Sequence, residues 1–96
     1  MITIVAPVRV KPGKTAEFEA IVVDLIKASR AEAGNGSYDL YRDLENGNAL
    51  TFIENWRDRA AFDFHLNTPH FKKAAEQMAG CCEGGAEVHM YAHSGL

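Results

Sequence analysis

Tyr38-Asp39-Leu40-Tyr41-Arg42-Asp43-Leu44-Glu45-Asn46-Gly47-Asn48-Ala49-Leu50-Thr51-Phe52-Ile53-Glu54-Asn55-Trp56 reads as two alternating runs around one turn signal. In the second run Leu50, Phe52, Glu54 and Trp56 share one face, and Thr51, Ile53 and Asn55 share the other. That period of two is the signature of a half-buried strand. In the first run, over Tyr38–Leu44, Tyr38, Leu40 and Arg42 oppose Asp39, Tyr41 and Asp43. The Asn46-Gly47 pair between them tolerates the positive φ values of tight hairpin turns, so the two strands are expected to pair antiparallel.

The segments on either side decide how the hairpin is covered. Upstream, Thr15 to Glu32 carries Phe18, Ile21, Val22, Leu25, Ile26 and Ser29 at helical spacing. These form one apolar stripe. Thr15 is the expected N-cap and Gly34 the expected stop. Before it, Met1–Val10 alternates, with Ile2, Ile4, Ala6, Val8 and Val10 on one side. Pro7 lacks the N–H that a ladder needs, so an edge or bulge is expected there. Lys11-Pro12-Gly13-Lys14 is a turn. Downstream, Asp58 is the expected N-cap of a helix whose inner stripe is Ala61, Phe62, His65 and Leu66. Asn67-Thr68-Pro69 breaks it, and Thr68 caps a second segment with Pro69 in the first helical position. Ala86–His93 is the last expected strand. The order is β-α-β-β-α-β, an α+β ferredoxin-like arrangement: one antiparallel four-stranded sheet with helices on one face. The face away from the helices still carries Val5, Ile53 and Tyr91. Burying it against a second copy predicts a homodimer with sheet facing sheet, a dimeric α/β barrel.

Composition bounds the function. The 96 residues make a single domain spanning 1–96, with 47% apolar residues and a net charge of −3. No basic stripe suggests nucleic acid, and no apolar run is long enough to span a membrane. Cys81 and Cys82 are adjacent, a poor geometry for a disulfide. They suit a reducing compartment, so a cytoplasmic location is expected.

The chemistry-bearing residues collect between sheet and helices. Glu54 and Trp56 lie on the core face of the third strand, His65 lies on the inner stripe of the next helix, and Asn35 opens the second strand. Tyr38 is a strand residue nearby, and His70 and Phe71 begin the last helical segment. Polar groups framed by aromatics suit a small-molecule pocket. His65 reads either as a core histidine with one hydrogen bond or as a base that titrates near neutrality. Glu54 would be costly if buried and unpaired, and its partner is one of Arg42, Arg57 and Arg59, or else His65. His65 and His70 lie five apart across a helix break. His89 and His93 share a strand face but lie about 13 Å apart. Neither pair has chelating spacing, so no metal site is expected.

The stretches Glu32–Asp43 and Phe52–Asp58, followed by Ala61, His65 and Thr68-Pro69-His70-Phe71, resemble the antibiotic biosynthesis monooxygenase family. So does the Pro12-Gly13 turn, and the likeness covers nearly the whole chain. The resemblance implies a dimer with one pocket per protomer. It also implies a quinol-monooxygenase-like activity, in which a small aromatic substrate is oxidised with O₂ as co-substrate and no cofactor. On that analogy His65, Asn35 and Trp56 are the catalytic candidates. Glu54, Tyr38, Phe71 and His70 are the substrate-binding ones. Haem degradation, another activity in the family, relies on an asparagine in the first strand and a late helical histidine, both lacking here. Isomerisation of a small phosphorylated signalling sugar is an alternative without an evident basic cluster to support it. A non-catalytic ligand-binding dimer is the other.

Overall fold

The structure is a computed structural model that describes residues 1–85 and 87–96. Its elements are β1 (Ile2–Arg9), α1 (Thr15–Arg30), β2 (Asn35–Arg42), β3 (Ala49–Trp56), α2 (Arg59–Leu66), α3 (Pro69–Ala79) and β4 (His89–Ala92). The strands form one antiparallel sheet in the order β2-β3-β1-β4. This is the ferredoxin-like arrangement, with the second helix divided in two. Among the described residues no helix is long and apolar enough to cross a membrane.

β3 alternates as its sequence requires: Leu50, Phe52, Glu54 and Trp56 are buried and the residues between them half-buried. Against this face α1 lays Phe18, Val22, Leu25 and Ser29. Phe18 and Phe52 meet with ring centroids 6.3 Å apart. Each such fully buried apolar side chain contributes about 1.5–3 kcal/mol. Asp58 caps α2 by accepting from the Ala61 N–H at 2.8 Å. Thr68 caps α3 by accepting from the Phe71 N–H, with Pro69 in the first turn.

Several local expectations are corrected. Lys14, not Thr15, is the N-cap of α1, and it makes no side-chain cap. The Thr15 hydroxyl instead donates to Asn48 Oδ1. The 43–48 turn does not use a positive φ at Gly47. Asp43 Oδ1 accepts from the Glu45 and Asn46 N–H groups, and Asn46 Oδ1 accepts from that of Asn48. The acid and amide side chains thus supply the turn. β2 starts at Asn35 rather than Tyr38 and ends at Arg42, with a bulge between Asn35 and Ser37. β4 is confined to His89–Ala92; its expected start at Ala86 lies outside the described residues.

Gly34 does not end the helix, whose C-cap is Ala31. Its lack of a side chain serves packing: a Cβ there would lie 2.4 Å from the Ala61 Cβ. The chain entering β2 thereby crosses directly over the first turn of α2.

Pro7 falls where an edge was expected. β4 pairs with β1 only over Ile2–Val5, and the next bridge on the loop after α3 joins Val10 to Cys82. Between them the Arg9 carbonyl accepts from the Glu83 N–H, and, among the described residues, positions 6–8 of β1 have no partner strand on that side.

Gly34→Ala should lower stability by about 1–3 kcal/mol through overpacking. Adding Ala61→Gly should recover part of that loss, because the two sites share one contact. Chemical denaturation of the single and double variants measures both effects, and strict additivity would refute the contact.

Candidate active site

A cavity of about 270 Å³ lies between the sheet and the helices. Its walls are largely apolar, including Ile4, Phe52, Phe71 and Met78, and its polar members include Tyr38, Glu54 and His65. Arg9 of β1 and Glu83 and Glu87 of the segment before β4 also line it. Cys82 lines the same wall, and burial pushes its thiol pKa up. Cys81 is packed into the core.

His65 is the centre of the arrangement. It is 1% exposed and enclosed by Trp56, Phe71 and Tyr38, at ring-centroid distances of 4.6, 5.0 and 5.4 Å. Its carbonyl accepts from the Thr68 hydroxyl at 2.7 Å, so the same threonine that caps α3 ties down the end of α2. Nδ1 lies 2.6 Å from Glu32 Oε2. A carboxylate at that distance fixes Nδ1 as the protonated nitrogen and leaves Nε2 unprotonated. Nε2 is buried and has no hydrogen-bond partner. Burial, resisted by Glu32, holds the imidazole pKa below its ordinary value. At neutral pH the ring is therefore a neutral base with one free lone pair.

Glu32 was not read from the sequence as a site residue. It lies just past α1, yet its side chain is only 7% exposed. Besides His65 it binds His70, whose Nε2 lies 2.8 Å from the same Oε2. The missed signal is the continuation of the α1 stripe: Phe18, Val22, Leu25, Ser29 and Glu32 follow at steps of four, three, four and three.

Glu54 pairs with none of the arginines considered and not with His65. Trp56 Nε1 donates to Glu54 Oε1 at 2.9 Å. Burial pushes the Glu54 carboxyl up to about 7; the Trp56 hydrogen bond opposes that rise and the nearby Glu32 adds to it. Trp56 itself is completely buried behind Glu54 and His65, and positions both. Tyr38 is held as the neutral phenol by burial and by Glu54. Asn35 is not brought to the cavity. Its Nδ2 donates to the carbonyls of Ser37 and Asn55 and pins the β2 bulge. His70 stands outside the cavity wall, behind Glu32, whereas Phe71 lies in that wall.

The spacing argument against a His65–His70 pair is also corrected. The helix break turns α3 back, so that Glu32, His65 and His70 offer ligand atoms within 4.8 Å of one another. The contacts of 2.6 and 2.8 Å are hydrogen-bond lengths. Ligands around a tetrahedral zinc ion stand about 3.3 Å apart, given metal–nitrogen bonds of about 2.0–2.1 Å. As arranged, the cluster holds protons.

Comparison with known proteins identifies relatives of the chain. The family model "Antibiotic biosynthesis monooxygenase" matches residues 1–77. The chain is 38% identical over 90 residues to "Uncharacterized protein sll1783" of Synechocystis, covering 94% of this chain and 61% of that protein's length. It is 42% identical over 72 residues to "Putative monooxygenase YcnE" of Bacillus subtilis, covering 75% and 76% of the two chains. The crystal structure of a conserved protein from Methanosarcina mazei Go1 superposes with a TM-score of 0.91 at 34% identity, covering 94% and 89%.

Glu54 gives the site a measurable pH signature. With a folded pKa of about 7 against 4.5 ordinarily, its stability contribution is fully present below about 4.5 and lost as pH rises through about 7. Glu54→Gln keeps an acceptor for Trp56 and should raise stability at neutral pH by about 3 kcal/mol. His65 acts oppositely, since its lowered pKa removes stability as pH falls below its ordinary 6.5. Denaturation midpoints of the variant should therefore be level above neutrality and fall on acidification. A variant no more stable than the parent at pH 7 would refute the buried-carboxyl reading.

Proposed function

Because the chain belongs to the antibiotic biosynthesis monooxygenase family, we propose that it oxidises a small quinol or phenolic aromatic with O₂. The observation that carries this reading is the His65 imidazole lining an apolar cavity, with Nδ1 engaged by Glu32 and Nε2 buried without a partner. A phenol entering the cavity gives its hydroxyl proton to Nε2. The resulting phenolate is electron-rich enough to pass an electron to O₂. The substrate is thus the reductant, and no cofactor is required of the protein. One oxygen atom ends on the ring carbon and the other leaves as water. The protein's share is to deprotonate, orient and exclude solvent.

Cavity size supports an aromatic guest. A dry apolar cavity of about 150 Å³ admits benzene, so about 270 Å³ accommodates a two-ring compound such as a naphthoquinol. Glu54, kept partly protonated near neutrality, can donate to a guest oxygen as well as accept from one. Of the charged residues that line the cavity, Arg9 stands against Glu54, Glu83 and Glu87, a balance that disfavours a phosphorylated sugar.

The same reading includes a homodimer. All three helices cover one face of the sheet. The other carries Val5 opposite Ile53, with Tyr41 and Tyr91 each 54% exposed. A second copy packed face to face would bury that surface. The adjacent unbridged cysteines fit a reducing, cytoplasmic setting.

In chelator-treated buffer, an oxygen electrode should record O₂ uptake with 1,4-dihydroxynaphthalene. His65→Ala should slow this by about 10²–10⁴-fold, the usual contribution of a positioned base. Unchanged uptake in the variant would remove His65 from the role assigned to it. Light scattering at micromolar concentration should give twice the chain mass of 10.6 kDa, and a monomer mass would overturn the dimer.

A further inference from the structure

The two histidines that share the Glu32 carboxylate line two different recesses, and Glu32 lines a third beside Gly34 and Arg57, with its Oε1 buried. The recess of His65 is the cavity. That of His70 is an open groove between α1 and α3, lined by Glu17 and Asp24 of α1 and by His70, Lys73 and Gln77 of α3. His70 has a side-chain exposure of 28%, His65 of 1% and Glu32 of 7%. A single oxygen, Glu32 Oε2, contacts His65 Nδ1 at 2.6 Å and His70 Nε2 at 2.8 Å. Three proton-exchanging groups in hydrogen-bond contact therefore run from the apolar cavity that His65 lines to the open groove that His70 lines.

We propose that Glu32 and His70 form a proton conduit that connects His65 to the α1–α3 groove while the cavity is closed by a guest. A proton arriving on His65 Nε2 is matched by loss of the Nδ1 proton to Glu32 Oε2. Beside the ionised carboxylate His70 rests with its Nε2–H donating to Oε2. Once exchange with groove water has put that ring's proton on Nδ1 instead, Oε2 passes its new proton to the bare Nε2 and Nδ1 of His70 releases one to groove water. One proton has left the cavity and one has reached solvent; both imidazoles are neutral and Glu32 is again a carboxylate. The path runs in reverse when an oxygen in the cavity must be protonated to leave as water. His70 is thus a relay acting through Glu32, not a residue that touches the substrate. Its use in turnover rests on the role given to His65 above, but the conduit itself can be tested without any substrate.

The test is solvent exchange of the His65 Nδ1–H in the free protein, followed by nitrogen-resolved NMR. In the parent this buried proton should exchange by way of His70. His70→Gln keeps a donor to Oε2 but has no second nitrogen through which to pass a proton on. It should slow exchange by about a hundredfold, within the range of a positioned proton-transfer group, while the rest of the spectrum is retained. His70→Phe, which seals the groove side with an apolar ring, should slow it as much and serves if the glutamine variant does not fold. Lys73→Ala, on the same groove, should leave it unchanged. Exchange within about twofold of the parent in either folded His70 variant would overturn the conduit. If exchange slows but dihydroxynaphthalene gives no O₂ uptake even in the parent, the conduit stands and the substrate reading falls.

Discussion

One carboxylate oxygen, Glu32 Oε2, is shared between two imidazoles, and three segments meet on it: the exit of α1, the end of α2 and the start of α3. A carboxylate so buried is costly to desolvate unless its acceptors are met. Both histidines meet it on Oε2, whereas Oε1 is buried without a partner. Thr68 reinforces the same junction, donating to the His65 carbonyl while capping α3. The break between α2 and α3 is therefore what allows His65 and His70 to face one anion from two helices. A continuous helix would have put residues five apart on different faces.

The cavity follows from what surrounds that junction. β3 supplies Phe52, Glu54 and Trp56 on one face because its alternation leaves no other choice. Trp56 is fully buried and reaches forward to Glu54 rather than into the cavity. The result is a chamber with few polar groups, two of which, His65 and Glu54, are held by Glu32 and Trp56, which is how a site holds geometry without a bound ligand. Family membership sets the chemistry this chamber is proposed to perform; the chamber sets the size and polarity of the guest.

Much of this was legible in the sequence. Periodicity located the strands and helices, and the capping residues Asp58 and Thr68 stand where their side chains said they would. Glu54, Trp56, His65 and Phe71 were found because an aromatic or polar residue on an apolar stripe stands out. Glu32 was missed because an acid at the end of a helix is ordinarily solvated, even though it continues the spacing of the α1 stripe. Asn35 drew notice for its residue type, but a short amide beside glycine serves a bulge as readily as a ligand, and only the pairing register separates the two. Gly34 was read for backbone freedom when its missing Cβ serves the crossing over Ala61. That distinction depends on a neighbour 27 positions away in the chain, which no local pattern contains.

Pro7 has a wider consequence than the end of a ladder. If β4 continued its register, Val88 and Glu87 would lie opposite Ala6 and Pro7. The edge would then close like a zip and seal the chamber along its open side. A ring nitrogen without hydrogen denies that extension a donor at the decisive step. The same denial discourages a foreign strand from annealing to the exposed margin. One imino acid in the middle of the first strand thus keeps the doorway ajar and the border unsociable.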